Sequence, residues 1–201
     1  LEIEDFMQAK NAYVSGVAEL FPPQGEWTEA DYFALPETAR IVELWDGELS
    51  IEPLADAAHQ RIVDTLAACL SAYDPVGEVI VAPVAVRLGE GRIRQPDVLY
   101  LKPEGWGRIT QRYVNGPPDW VAEVISPGSR ETDTKDKLTQ YAEAGIPEYW
   151  LIDPEAGTVR VYGLDEGATA YTLRASYAAG ETIRSAALDG FEVAVDDLLR
   201  G

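Results

Sequence analysis

Trp120-Val121-Ala122-Glu123-Val124-Ile125-Ser126 is a strand-length run, rich in branched and aromatic side chains and apolar on both faces but for one carboxylate. A carboxylate in the middle of a buried strand is costly unless it is paired, protonated or bound to a metal. Glu123 is therefore the most conspicuous residue in the chain. The purely structural explanation is an ion pair with an arginine, and Arg94 and Arg130 are the candidates.

Working outward, the run is followed by a helix predicted over about 132–144. That helix buries Leu138, Tyr141 and Ala142 and stops at Gly145, with Pro147 just beyond. Strands are predicted at 148–153, 158–164, 170–176 and 191–195, with a turn at Pro154 to Gly157. Upstream, two strand-like runs, 78–88 and 92–101, flank Gly89-Glu90-Gly91, and the second carries Asp97 directly after Pro96. Before them comes a helix capped by Asp56, with Ile62, Val63, Leu66, Cys69, Leu70 and Tyr73 as its buried stripe. Asp46-Gly47 is a two-residue type I′ turn, which pairs Val42 with Ile51, Glu43 with Ser50, Leu44 with Leu49 and Trp45 with Glu48. Glu43 then lies on the face opposite Leu44 and Leu49. Thr28 and Asp31 form a capping box for a short helix that ends before Pro36. Residues 1–26 read as a helical arm, over 3–21, followed by a linker at Pro22-Pro23-Gln24-Gly25; residues 27–201 read as one domain. Strands mixed with two long helices give an α/β or α+β domain, with a central sheet covered by helices.

The 201 residues are 46% apolar, which excludes a disordered chain, and no apolar run has membrane-spanning length. One cysteine, Cys69, excludes an internal disulfide and multi-cysteine zinc sites, and points to the cytoplasm. Sixteen basic residues against 35 acidic ones leave a formal charge of −19, which repels nucleic acid at long range. A local excess of basic residues between Arg87 and Arg112 runs against that trend, and Arg94 and Arg108 are the candidate nucleic-acid contacts within it.

A Pro-Asp followed by an acid on a later strand is the layout of a metal-dependent phosphodiesterase site. Carboxylate oxygens there hold Mg²⁺ or Mn²⁺. Such sites commonly place a lysine two residues after the second acid, because strand positions i and i+2 share a face. Here that slot holds Ile125, so the short motif is incomplete. On the following helix, Lys137 reads locally as half of a surface ion pair with Asp133 at i−4, whose loss costs under about 1 kcal/mol.

Taken together, Glu43-Leu44-Trp45-Asp46-Gly47-Glu48-Leu49, Pro96-Asp97-Val98, Glu123-Val124-Ile125-Ser126-Pro127, Asp133-x-x-x-Lys137-x-x-x-Tyr141-x-x-x-Gly145 and Glu148-Tyr149-Trp150-Leu151-Ile152-Asp153-Pro154 resemble the Uma family of bacterial restriction endonucleases, within the PD-(D/E)XK superfamily. The resemblance spans roughly residues 27–198. It implies a restriction-endonuclease-like mixed β-sheet flanked by helices, with additional β-hairpins, and a divalent-metal nuclease site acting on nucleic acid, DNA in the first instance. By matching position, Asp97 and Glu123 become metal ligands and Glu43 the upstream acid that completes the metal's shell. The resemblance also makes Lys137 the candidate substitute for the lysine missing at position 125, with Lys135 a weaker one.

His59, the only histidine, faces inward on the first turn of its helix and is assigned a supporting role beside the metal ligands. Gln95 alternates onto the Asp97 side of its strand and is a candidate for orienting a water. A homodimer is expected, because one small domain rarely grips both strands of a duplex. The competing class is a non-catalytic interaction protein on a degenerate nuclease scaffold, favoured by the charge of −19 and by Ile125. The two classes differ in whether the acidic residues open onto a polar cleft or one filled with apolar side chains.

Overall fold

The computed structural model describes residues 21–36 and 38–200. The leading helix expected from residue 3 lies, up to residue 20, outside the described residues. The Pro22–Gly25 segment is no free linker. Gln24 brackets the backbone of Leu49 with two hydrogen bonds, and Gly25 N donates to the Gly47 carbonyl.

Helix α1 (Glu29–Phe33) begins on the expected Thr28/Asp31 capping box. Strands β1 (Val42–Trp45) and β2 (Glu48–Ile51) pair in the register set by the type I′ turn. Asp46 and Gly47 adopt φ of 48° and 88°, and a side chain at Gly47 would also collide with the Gly25 carbonyl. Helix α2 (Ala57–Tyr73) is capped by Asp56 and buries Ile62, Val63, Leu66 and Leu70; Cys69 is only half-buried and Tyr73 exposed.

The runs 78–88 and 92–101 each divide between two sheets. The first splits into β3 (Glu78–Val81) and β4 (Ala85–Gly89), and the second into β5 (Arg92–Arg94) and β6 (Val98–Leu101). The breaks fall at Pro83 and at Pro96, which cannot donate to a sheet ladder. Strands β4 and β5 join the β1–β2 hairpin in a small sheet of order β2-β1-β5-β4-β7, where β7 is Tyr113–Asn115. Strands β3 and β6 join the central sheet β11-β10-β9-β8-β6-β3, formed with β8 (Trp120–Val124), β9 (Glu148–Asp153), β10 (Thr158–Gly163) and β11 (Thr172–Ala178). Asp97 thus sits where the chain passes from one sheet into the other, and its carbonyl accepts from Ala82 N.

Strands β8 and β9 are parallel, and a parallel pair needs a crossover element. Here the crossover is a π-helical turn, Thr132–Asp136, that runs into α3 (Lys137–Glu143). Helix α3 closes with the pair of bonds from Gly145 N to Ala142 O and from Ile146 N to Tyr141 O, with Gly145 at φ 82°. The chain ends in a two-stranded sheet, β12 (Thr182–Arg184) with β13 (Glu192–Ala194), and helix α4 (Val195–Leu199). Strand β12 and helix α4 have no counterpart in the sequence reading.

The central sheet is covered on both faces. Ala122 and Val124 pack on one face with the stripe of α2, and Val121 and Ile125 on the other with Tyr141 of α3. Glu123 alternates onto the α3 face. A second buried acid, Glu148, has a fully structural role. It accepts from both indole N–H groups of Trp120 and Trp150, from the Ser185 hydroxyl, and from the backbone N–H groups of Ala186 and Ala187. These bonds fasten the 185–188 segment over the aromatic core. Among the described residues no helix is long and apolar enough to cross a membrane.

Candidate active site

Strand β1, helix α2, the β5–β6 junction, strand β8 and the crossover into α3 deliver titratable side chains to one largely buried spot. Strand β6 ends its ladder with β8 at the Val98–Ala122 pair, so the next N–H on that edge of β8, Val124 N, has no strand partner there. The Asp97 carboxylate takes its place, accepting from Val124 N through Oδ2 at 2.8 Å. His59, from the first turn of α2, places Nε2 3.1 Å from the same oxygen. Burial disfavours its imidazolium, but the hydrogen bond and charge of Asp97 win and raise the His59 pKa.

Glu123 is engaged at both oxygens by α3. Lys137 Nζ lies 3.1 Å from Oε2, and the Tyr141 hydroxyl donates to Oε1 at 2.5 Å. Neither arginine expected to neutralise Glu123 does so: Arg94 binds Glu43 and Gln140, and Arg130 binds Asp153 and Glu155. Burial is the largest influence on Glu123. Lys137 opposes it, while Asp97, Asp133 and Glu43 add to it, and the net effect lifts the Glu123 pKa well above the usual carboxylate range.

Lys137 is buried rather than on the surface, at 2% exposure. Its ammonium meets three acids: Glu123 and Asp133 at 3.1 Å each and Glu43 at 3.8 Å. Burial works against the charged amine, but these three carboxylates hold its pKa well above the ordinary lysine value. The ion pair with Asp133 expected from the sequence is therefore present together with the contact to Glu123. Lys135 points away and pairs with Glu131 in solvent.

Glu43 is completely buried beneath this cluster. Arg94 Nη1 donates to Oε2 at 2.6 Å and Gln95 N to Oε1 at 2.9 Å. Burial would raise its pKa, but Lys137 and Arg94 together lower it. A cavity of about 30 Å³ opens beside the cluster, lined by His59, Asp97, Glu123, Asp133, Lys137 and Glu52 among others. Glu43 is not on its wall. The structure brings Glu43 to the site through Lys137, with both oxygens already engaged, so the expected third metal ligand lies behind the lysine.

Glu52 and Asp133 were not singled out from the sequence. Burial raises the pKa of each, against the pull of Lys137. Asp133 was legible as the helical partner of Lys137 and as the head of the Asp133-x-x-x-Lys137 motif but not as an acid of the site, and Glu52, just past the β2 strand, carries no local signal.

Three other expectations are corrected. Gln95 turns away from Asp97, donating through Nε2 to the Tyr32 hydroxyl at 2.8 Å, because Pro96 interrupts the strand alternation on which its orientation was based. Arg94, expected to contact nucleic acid, is 5% exposed and held between Glu43 and Gln140. Arg108 lies near Asp119, at the end of β8 remote from Glu123, and donates to the Pro117 carbonyl. The rest of the basic island is internally engaged as well: Arg87 binds Glu29, Arg92 binds Asp46 and Glu143, Lys102 donates to the Ala187 carbonyl, and Arg112 binds the Phe33 carbonyl. Arg108→Glu is accordingly expected to leave the salt dependence of any nucleic-acid binding unchanged, as measured by filter binding over a range of salt concentrations. A slope reduced by about one unit would return Arg108 to the interface.

A family model described as "Putative restriction endonuclease", Uma2, matches residues 29–196. The chain belongs to the Uma2 family. Its match takes in every element that builds the charged cluster. Among solved structures, a "putative nuclease belonging to DUF820" from Anabaena variabilis ATCC 29413 superposes with a TM-score of 0.70 at 18% identity, covering 87% of this chain and 98% of that one. At that identity the likeness is one of fold: a mixed α/β architecture with sheets flanked by helices. No curated protein matches the chain.

Proposed function

We propose that this protein is a divalent-metal-dependent endonuclease that hydrolyses phosphodiester bonds of nucleic acid, DNA in the first instance. The observation that carries this reading is the joint placement of Asp97, Glu123 and Lys137 on one small polar cavity within a Uma2 chain. Six ionisable side chains and two serines line it beside Ile41, Pro53, Ala55 and Val124, whereas a degenerate scaffold would fill it with apolar side chains.

The residues fit a hard cation. Among the described residues no three acid, histidine or cysteine side chains converge as ligands. Mg²⁺, however, commonly takes only one or two protein carboxylates and keeps several waters. The cavity of about 30 Å³ has room for a water or a small ion. Burial is the main reason the Glu123 pKa is raised, and Asp97, Asp133 and Glu43 add a repulsion that a cation there would relieve. Asp97 and Glu123 would hold Mg²⁺ or Mn²⁺. Bound there, the ion neutralises charge on the phosphate and makes a water more acidic.

The chain's own groups do the rest. His59 and Val124 N both engage Asp97 Oδ2, which fixes that carboxylate and leaves Oδ1 for a ligand. Lys137 stays protonated, so it acts as a donor and a fixed positive charge rather than as a base. Its Nζ would hold the attacking water or a non-bridging phosphate oxygen, and stabilise the charge that builds up there. Glu43 and Arg94 lock the lysine from behind. Cutting both strands of a duplex calls for a second copy of the chain, and a homodimer is part of the proposal.

The test is relaxation of supercoiled plasmid with Mg²⁺ or Mn²⁺, wild type beside Asp97→Ala. Metal-dependent nicking that Asp97→Ala abolishes is the expected result. Internal pairing of the island arginines favours the second reading, a non-catalytic interaction protein. Absence of cleavage of DNA and RNA with either metal would select it.

A further inference from the structure

We propose that Tyr141 is a positioning residue of this site, whose hydroxyl pins Glu123 Oε1 so that Oε2 is presented to Lys137 and the cavity. The inference deepens the nuclease reading and rests on it.

Among the described residues no backbone N–H donates to the Glu123 carboxylate. Its two side-chain partners, Lys137 on Oε2 and Tyr141 on Oε1, lie one turn apart on the same short helix. Positions i and i+4 of a helix share a face, so a single rigid element grips both ends of the carboxylate. That fixes the plane of a terminal torsion that is otherwise broad. A bidentate grip of this kind decides which oxygen meets a ligand.

Tyr141 is itself immobilised. It is fully buried, and its ring meets the ring of Tyr149 edge to face, with centroids 5.4 Å apart at 84°. The Tyr149 hydroxyl in turn donates to the Asp133 carbonyl at 3.1 Å, on the π-helical turn that leads into Lys137. In this setting the Tyr141 hydroxyl is the donor and Glu123 Oε1 the acceptor. Outer partners of this kind typically tune metal affinity or activity by about 10–100-fold.

The experiment measures Mn²⁺ affinity by electron paramagnetic resonance titration of the full chain, together with plasmid-cleavage kinetics. The proteins compared are wild type, Tyr141→Phe and Tyr149→Phe. Tyr141→Phe keeps the ring and loses only the donor. It is expected to bind Mn²⁺ about 10–100-fold more weakly and to lower kcat while leaving KM for the plasmid unchanged. Tyr149→Phe removes an equally buried hydroxyl that does not touch Glu123 and only holds the turn leading into Lys137, and is expected to lose clearly less Mn²⁺ affinity than Tyr141→Phe. Wild-type affinity in Tyr141→Phe would overturn the positioning role and leave the nuclease reading standing. Equal losses in both variants would overturn it too, by exposing a general loosening of the helix. Absence of Mn²⁺ binding by the wild type would overturn both. If Tyr141→Phe does not fold, the hydroxyl proton of Tyr141 in the unsubstituted protein, identified through its contacts with the Tyr149 ring, is followed by NMR as Mg²⁺ is added. A shifted resonance supports the proposal and an unmoved one overturns it.

Discussion

Lys137→Met is expected to lose about 10²–10³-fold in cleavage rate, the usual cost of removing one well-placed donor to developing charge. It is also expected to destabilise the fold by about 3–5 kcal/mol, the cost of breaking a buried ion pair from one side. The second figure reverses what the sequence suggests, since a surface pair with Asp133 would cost under about 1 kcal/mol. The difference is burial: the ammonium is 2% exposed and serves Glu43, Glu123 and Asp133 together. Without it, three carboxylates share a water-poor pocket. Glu123 and Asp133, whose pKa values are already raised, then take up protons more readily still. A group with a raised folded-state pKa binds more protons folded than unfolded, so stability falls as pH rises. The deficit of Lys137→Met should therefore be largest at neutral and alkaline pH and narrow as pH drops towards ordinary carboxylate values. Urea unfolding of both proteins across that range measures it. An equal deficit at every pH would mean that packing, not charge, is lost.

The fold was legible where local chemistry is self-sufficient. Asp46-Gly47 fixes the hairpin register, Thr28 with Asp31 fixes a helix start, and Gly145 fixes a helix end, each within a few residues. It was illegible where one segment serves two sheets. Residues 78–101 read as two long strands, because periodicity shows alternation but not which sheet a strand joins. The prolines at 83 and 96 were the only mark of the crossing. Strand β12 and helix α4 are too short for their periodicity to stand out.

The same limit governs the site. Asp97, Glu123 and Lys137 come from separate elements, and each was suspicious in its own segment: an acid after proline, an acid in an apolar strand, a lysine at the edge of a buried stripe. Glu52 carried no such mark and is assigned only by where the chain goes after β2. A buried acid alone is also no sign of chemistry. Glu148 is as deep as Glu123, but five neutral donors from the core and the 185–188 segment surround it. Glu123 instead shares one ammonium with two other carboxylates. Composition misled over the basic island, because counting Arg87 to Arg112 ignores the distant acids, such as Glu29, Asp46 and Glu43, that the fold brings to those arginines.

Glu123→Gln is expected to abolish cleavage and, at the same time, to raise the melting temperature at neutral pH. The environment of Glu123 disfavours its charge. Burial is the main cause, Asp97, Asp133 and Glu43 add repulsion, and Lys137 compensates only in part. Glutamine keeps the shape and removes the charge; its carbonyl accepts from Lys137 Nζ and its NH₂ donates to the Tyr141 hydroxyl oxygen, so no donor faces the ammonium. Lys137 is left with Glu43 and Asp133, so its ammonium is not stranded. The sign of the pH dependence follows. The wild-type carboxyl has a raised folded-state pKa, so the stability tied to its proton is fully present below the unfolded value of about 4.3 and is lost as pH rises through the folded one. The variant has no such loss. The two melting temperatures should therefore lie close together in acid and diverge as pH rises to neutrality, with the variant higher. Differential scanning calorimetry across that range reads the divergence directly. A variant less stable than wild type at neutral pH would show that the Glu123–Lys137 pair holds the fold together rather than storing unfavourable charge for a cation. Stability given up at one buried acid is the expected signature of a site shaped for ligand binding rather than for folding.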